Sequence, residues 1–390
     1  MKNIGCLVLI IIGWSFDPVG LFAQASHQAS PDYLGLSYGG INSESLPVSE
    51  IPTFRGVGGQ PVKIGRGELT ISAYSHLRYT YTRDEERGTG TNPIFSPSAT
   101  PDSFDLERLR LIFYGDILGD LTYRFEYDLS QTELKDAFFK IPRLPFYDGS
   151  LTLGQFKIPL SNAGLLLETP LQETIQGPLI YERGLNTISD RETGLLWEGD
   201  MLRGDVHYGI GIFNGNGINK SDDNDDKDLL FYFKVAPWKQ EEFSKFKPLE
   251  FAAAFMKGSV AEAGIGSDPR ERYTFSAKYL IEEITISSEY IYQIRDADGP
   301  NNVITKNWYL QFGRDFNINF LKKRQPIRAL LRFEGYEPDS TVDDNEIKVL
   351  MLGGNWTINP YTRLMLNYVA YDEVRELDND ETLLQIEFKF

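Results

Sequence analysis

The residues able to do chemistry are few, and catalysis finds little support among them. The chain has three histidines, His27, His76 and His207, far apart in sequence, which argues against a histidine-based zinc site. Ser75 and His76 are adjacent, so on a strand their side chains point to opposite faces, and His207 has no neighbouring serine. The glycine-rich stretch Gly209-Ile-Gly211-Ile-Phe-Asn-Gly215-Asn-Gly217 lacks the Lys-Ser/Thr ending and following helix of a phosphate-binding loop. No enzyme activity, cofactor or metal is expected. What remains is a set of cations. Arg108 and Arg110 alternate with Leu109 and Leu111, Arg124 precedes Phe125, and Lys140 is a weaker member. Guanidinium and ammonium groups lining a water-filled interior offer charge and hydrogen bonds to a small anion in exchange for its hydration, and several moderate sites sustain flux better than one strong one. The alternative for each is a polar wall residue paired with Asp or Glu.

These cations need strands to hold them. Leu121, Tyr123, Phe125, Tyr127 and Leu129 share one parity, and Thr122, Arg124, Glu126 and Asp128 the other. Ile327, Ala329, Leu331 and Phe333 alternate with Arg328, Leu330, Arg332 and Glu334, and Tyr273, Phe275, Ala277 and Tyr279 with Arg272, Thr274, Ser276 and Lys278. The chain ends with Leu384, Ile386, Phe388 and Phe390 on one face and Gln385, Glu387 and Lys389 on the other. Sixteen such strands are expected, beginning near residues 67, 104, 119, 133, 149, 191, 204, 228, 249, 270, 282, 304, 325, 345, 361 and 381. The even count suits a closed antiparallel barrel, and in lipid closure satisfies every edge hydrogen bond. Connections 84–103, 160–190, 214–227, 260–269, 296–303, 338–344 and 374–380 are the long set, and Asp116–Gly119, Asp200–Arg203 and Asn359–Pro360 are tight. Tyr79, Tyr81, Trp308, Tyr309, Trp356, Tyr361 and Tyr368 lie near strand ends, as an interfacial girdle requires.

The start of the chain reads as export machinery. Lys2, the apolar run Ile4 to Phe16 and the small-residue site Ala23-Gln24-Ala25 form a signal peptide over 1–25, too short to span a bilayer as a helix. Residues 26–66 are expected to be weakly ordered, and 67–390 to form the barrel. The only cysteine, Cys6, falls in the leader. A net charge of -17 argues against nucleic-acid binding. The fold class is therefore all-β, a transmembrane antiparallel barrel of the bacterial outer membrane, bordered by lipid and ending on the assembly signal Phe390.

Leu151-Thr-Leu-Gly-Gln-Phe-Lys157-Ile-Pro159-Leu-Ser161, with Arg108-Leu-Arg110, Gly115 to Asp128, Lys135-Asp136-Ala137-Phe138 and Tyr181-Glu182-Arg183-Gly184, resembles the phosphate-selective porin O and P family. The likeness covers much of 104–215. It implies a sixteen-stranded homotrimeric porin passing small hydrophilic solutes, phosphate among them. It also implies a constriction loop, here 160–190, with basic residues that lead anions inward. Lys157 stands at the entrance of that loop and Arg183 near its return. Lys157 shares the parity of Leu151 and Leu153, so strict alternation sends it toward lipid unless Pro159 and the irregular chain after it break the pattern. The competing reading is an adhesin or interaction barrel with binding loops and a plugged lumen, and a third is a soluble periplasmic β protein.

Overall fold

Backbone groups in lipid must pair within the chain, and an antiparallel sheet does so only when its first and last strands meet. The computed structural model shows that closure. It describes residues 62–64, 67–82, 102–144, 149–182, 188–222, 224–238, 249–262, 266–296, 302–320, 323–373 and 379–389. The expected signal peptide, Arg183 and Phe390 lie outside the described residues.

A short β1 (Val62–Ile64) precedes the wall strands. The wall runs β2 (Gly67–Thr82), β3 (Asp102–Ile117), β4 (Leu121–Asp128), β5 (Glu133–Ile141), β6 (Ser150–Lys157), β7 (Arg191–Met201), β8 (Val206–Phe213) and β9 (Asp228–Val235). It continues as β10 (Leu249–Glu262), β11 (Gly266–Ile281), β12 (Ile284–Arg295), β13 (Val303–Phe320), β14 (Lys323–Glu337), β15 (Ile347–Asn359), β16 (Thr362–Glu373) and β17 (Glu381–Lys389). Each wall strand pairs antiparallel with its neighbours in sequence, and β17 pairs with β2 from Glu381↔Thr82 to Lys389↔Tyr74, which shuts a sixteen-stranded barrel. No strand start departs from its expected position by more than four residues.

Val62–Ile64 pairs with Gly67–Leu69, the part of β2 that extends past the end of β17. One expected connection is corrected by the strands. The connection expected over 260–269 shrinks to 263–265, because the β10–β11 ladder continues to Glu262↔Gly266.

The alternation is that of a membrane barrel, inverted relative to a soluble one. Leu77, Phe125, Phe275, Phe333, Leu384 and Phe388 are exposed on the outer face. Arg110, Glu126, Asp128, Arg272, Arg332, Glu334, Gln385 and Glu387 are buried on the inner one. Trp308, Tyr81, Tyr361 and Tyr368 stand outward. Tyr309 does not join that girdle: the parity of β13 turns it inward beside Thr305, Asn307 and Gln311.

Lys157 also departs from the simple pattern. Its ammonium points into the barrel, donating to the carbonyls of Gly164 and Leu167 and to Asp190. The alternation is broken at Gly154, five residues before Pro159, where the backbone takes φ +127°. A Cβ there would lie 2.2 Å from the Ala137 carbonyl oxygen on β5. Gly154→Ala should therefore lose the β5–β6 contact and pay backbone strain of at least about 1–3 kcal/mol. The expected outcome is a reduced heat-modifiable folded fraction on a denaturing gel at unchanged export; an undiminished folded fraction would show that the strand tolerates a side chain.

Candidate functional site

The segment between β6 and β7 does not leave the barrel. Ser161 caps a short α1 (Asn162–Leu166) by accepting from the Gly164 amide, and α2 (Leu179–Glu182) follows. Ile158, Leu160, Ile175, Leu179, Ile180 and Ile188 pack against inward apolar residues of the wall, among them Phe156, Phe213, Met256, Met351 and Val369. This buried cluster gives the segment a small core of its own inside an otherwise polar lumen.

Polar contacts tie it to nearly every side of the barrel. Glu289 of β12 accepts from the Ser161 hydroxyl at 2.9 Å and from the Asn162 and Ala163 amides at 2.8 and 3.1 Å. Asn162 donates to Ser276 of β11, and Thr274 donates to the Leu160 carbonyl. Arg332 of β14 donates to the carbonyls of Gln176 and Gly177 at 3.1 and 3.0 Å. Glu334 accepts from the Leu179 amide, Asn367 of β16 from the Ile175 amide, and Glu381 of β17 from Gln176. Arg78 of β2 donates to the Ile175 carbonyl. The segment thus crosses the lumen as a fixed strap.

The sequence-selected cations among the described residues, Arg108, Arg110, Arg124, Lys140 and Lys157, gather on one wall, β3 to β7, and each is paired. Arg110 is fully buried; its guanidinium meets Asp128 at 3.0 Å, Glu126 at 2.9 Å, the Tyr74 hydroxyl at 3.0 Å and Glu168 of the strap at 2.6 Å. Arg124 bonds Asp136 and Glu126. Arg108 lies 3.6 Å from both Glu107 and Glu168. Lys140 lies 3.7 Å from Glu198. All three donors of Lys157 find acceptors, two of them strap carbonyls and the third Asp190 at 2.5 Å. Arg191, passed over in the sequence, joins Asp136 to Asp190 in the same lattice. The wall is a network of compensated charge, organised around Glu168. Burial alone would raise the Glu168 pKa, but Arg110, Arg108, Arg191 and Lys135 outweigh it and hold the carboxyl well below its ordinary 4.5. Asp190 is likewise held down, against burial, by Lys157 and Arg191.

Open space lies on the opposite side, between the strap and β9 to β14. It is a cavity of about 110 Å³, room for several water molecules. Leu166, Leu171, Glu173 and Thr174 line its strap side, and Lys234, Glu250, Lys278, Ser287 and Tyr309 its wall side. Glu173 is engaged by Arg328 at 2.9 Å and Gln311 at 2.8 Å, and Arg332 by the strap carbonyls. Among the described residues, Lys234, Glu250 and Lys278 make no ion pair within 4.0 Å. Lys278 was visible in sequence as a member of the polar face of β11; Lys234 follows Leu230 and Tyr232 on the inner parity of β9, where an apolar pair masks the alternation.

No family model matches the chain, and no curated protein matches it in sequence. Similar folds are found among solved structures. OmpT of Vibrio cholerae superposes with a TM-score of 0.58 at 10% identity, over 85% of this chain and 100% of that one. The outer membrane channel DcaP of Acinetobacter baumannii gives 0.58 at 12%, over 86% and 100%. The anion-selective porin of Comamonas acidovorans gives 0.56 at 14%, over 83% and 100%. At these identities the likeness is one of fold: the chain has the sixteen-stranded architecture of the outer-membrane porins, and no match singles out the phosphate-selective O and P family.

The lattice yields two predictions. Glu168→Gln removes one partner from a buried charge network, which typically costs about 3–5 kcal/mol. It should loosen the strap and raise both conductance and current noise of the reconstituted barrel; a quiet record identical to wild type would show that the strap does not depend on Glu168. A carboxyl whose pKa is depressed on folding stabilises fully above its unfolded pKa and loses that contribution only as pH falls through the folded value. The Glu168 anchor should therefore survive acidification to pH 4.5 and fail only well below it. The difference in conductance between the wild type and Glu168→Gln should stay level from neutrality down to that point.

Proposed function

We propose that this chain is a porin of the bacterial outer membrane that passes small hydrophilic solutes by diffusion through the gap between the strap and β9 to β14. The observation that carries this reading is the cavity itself: open space edged by Lys234, Glu250 and Lys278 beside a loop too firmly bonded to be a mobile plug. The exposed apolar exterior gives the barrel its lipid face, and the long connections on one side match the outer-membrane arrangement. The strap is the constriction element, and Lys157 positions it.

The uncompensated lysines favour anions, since Lys234 and Lys278 outnumber Glu250 among the free charges of the gap. Phosphate is not the solute this reading favours. Arg108, Arg110 and Arg124 are bound to carboxylates and have little capacity left to replace the hydration of a multiply charged oxyanion.

The reading includes assembly as a homotrimer. β4, β6, β8 and β9 have 8 residues each and β5 has 9, whereas β13 has 18. A tilted strand needs about 9–11 residues to cross the hydrocarbon core. A low wall with exposed Phe139, Ile210, Ile212, Phe231 and Phe233 suits burial against further copies better than direct contact with lipid. One of the matched OmpT structures from Vibrio cholerae is itself described as a trimer form.

Planar-bilayer recording separates this reading from an interaction barrel with a closed lumen. Purified protein should conduct in potassium chloride, in multiples of three steps per insertion, with a reversal potential in a salt gradient on the anion-selective side. Replacing both Lys234 and Lys278 by Gln should move that potential toward the cation side. A folded protein with no conductance would reject the channel.

A further inference from the structure

We infer that the gap is matched to monocarboxylates bearing an apolar tail, a substrate class that rests on the channel reading above. Two features on opposite sides of one cavity carry the inference. On the wall, Lys234 of β9, Glu250 of β10 and Lys278 of β11 stand on consecutive strands. Glu250 is in register with Lys278, and Lys234 is in register with Ala252, two residues along from Glu250. These are the free charges of the cavity, two positive and one negative, because Glu173 and Arg332 are bonded elsewhere. The row therefore complements a single negative charge, and Ser287, in register with Lys278 on β12, adds a hydroxyl beside it.

Across the gap the strap presents Leu166 and Leu171. Both are only half buried, and neither belongs to the apolar cluster that docks the strap. A passage for hydrated inorganic ions has no use for leucines on its strap face, whereas an organic anion can lay its hydrocarbon there while its carboxylate meets the lysines. A dicarboxylate of the same length would bring its second charge to the leucines, and an amine would meet the two lysines.

The class is tested by block of the chloride current through the intact protein in planar bilayers. Acetate, butyrate and hexanoate form the series, with adipate, hexan-1-ol and hexylamine as comparisons. Burial of one methylene is worth about 0.8 kcal/mol, roughly fourfold in affinity when complete. With partial burial, the half-blocking concentration should still fall at least about tenfold from acetate to hexanoate. Adipate, hexanol and hexylamine should block more weakly than hexanoate. In a Leu166→Ser/Leu171→Ser double variant the chain-length series should flatten. Equal potency of acetate and hexanoate in the wild-type protein overturns the inference whether or not that variant folds, and so does hexanol matching hexanoate. Conductance in potassium chloride without chain-length dependence would leave the channel reading standing and remove this one alone; absence of any conductance would remove both.

Discussion

A barrel with an apolar exterior has to place its charge inside, and a buried charge is tolerated only where it is paired. Most of the lumen follows from that constraint. The β3 to β7 wall carries arginines and lysines in the same small region as Glu126, Asp128 and Asp136, and these settle one another's desolvation. Glu168 completes the wall network from the strap, bonding Arg110 at 2.6 Å and lying near Arg108, Arg191 and Lys135. The strap is thus held electrostatically on one side and by amide, carboxamide and arginine contacts on the other. What remains unfilled is the gap, where Lys234, Glu250 and Lys278 make no salt bridge among the described residues.

The strand count was legible because alternation is local: each strand declares its two faces within a few residues, and turn residues mark where it stops. The inner face of β14 was readable as Arg328, Leu330, Arg332 and Glu334 in that way. Lys157 was not, because its orientation depends on one backbone angle at Gly154, and a glycine in a strand does not announce whether it is extended or left-handed. The candidate cations show a second limit. Sequence parity places Arg108, Arg110 and Arg124 inside the barrel, but whether an inward cation is free or neutralised depends on partners as distant as Glu168. Lys278 had the same parity signal as the arginines and differs in making no salt bridge among the described residues, which is a fact of three-dimensional placement. Tyr309 shows the same limit from the other direction, since proximity to a strand end does not tell which face a ring occupies.

On the proposed reading, a channel built this way would discriminate without moving parts. Apolar packing and hydrogen bonds on both walls leave the strap no low-energy alternative position, so discrimination falls to the few groups that have no partner. A passive pore must release what it admits, and several moderate charges serve that better than one strong site.

The seam between the first and last wall strands has its own consequence for the order of events in assembly. His76 bonds Glu387 across 311 residues of chain, with Arg363 bonded to the same carboxylate. Bringing such distant segments together costs about 5 kcal/mol of chain entropy by the logarithmic closure law, so no partial barrel gains by making this contact early. The strap reaches Arg78 on one side of the seam and Gln176 meets Glu381 on the other. Its docking can therefore be complete only after the two ends of the sheet have met. The strap acts as a latch that engages a finished cylinder and leaves an unfinished one with its interior open.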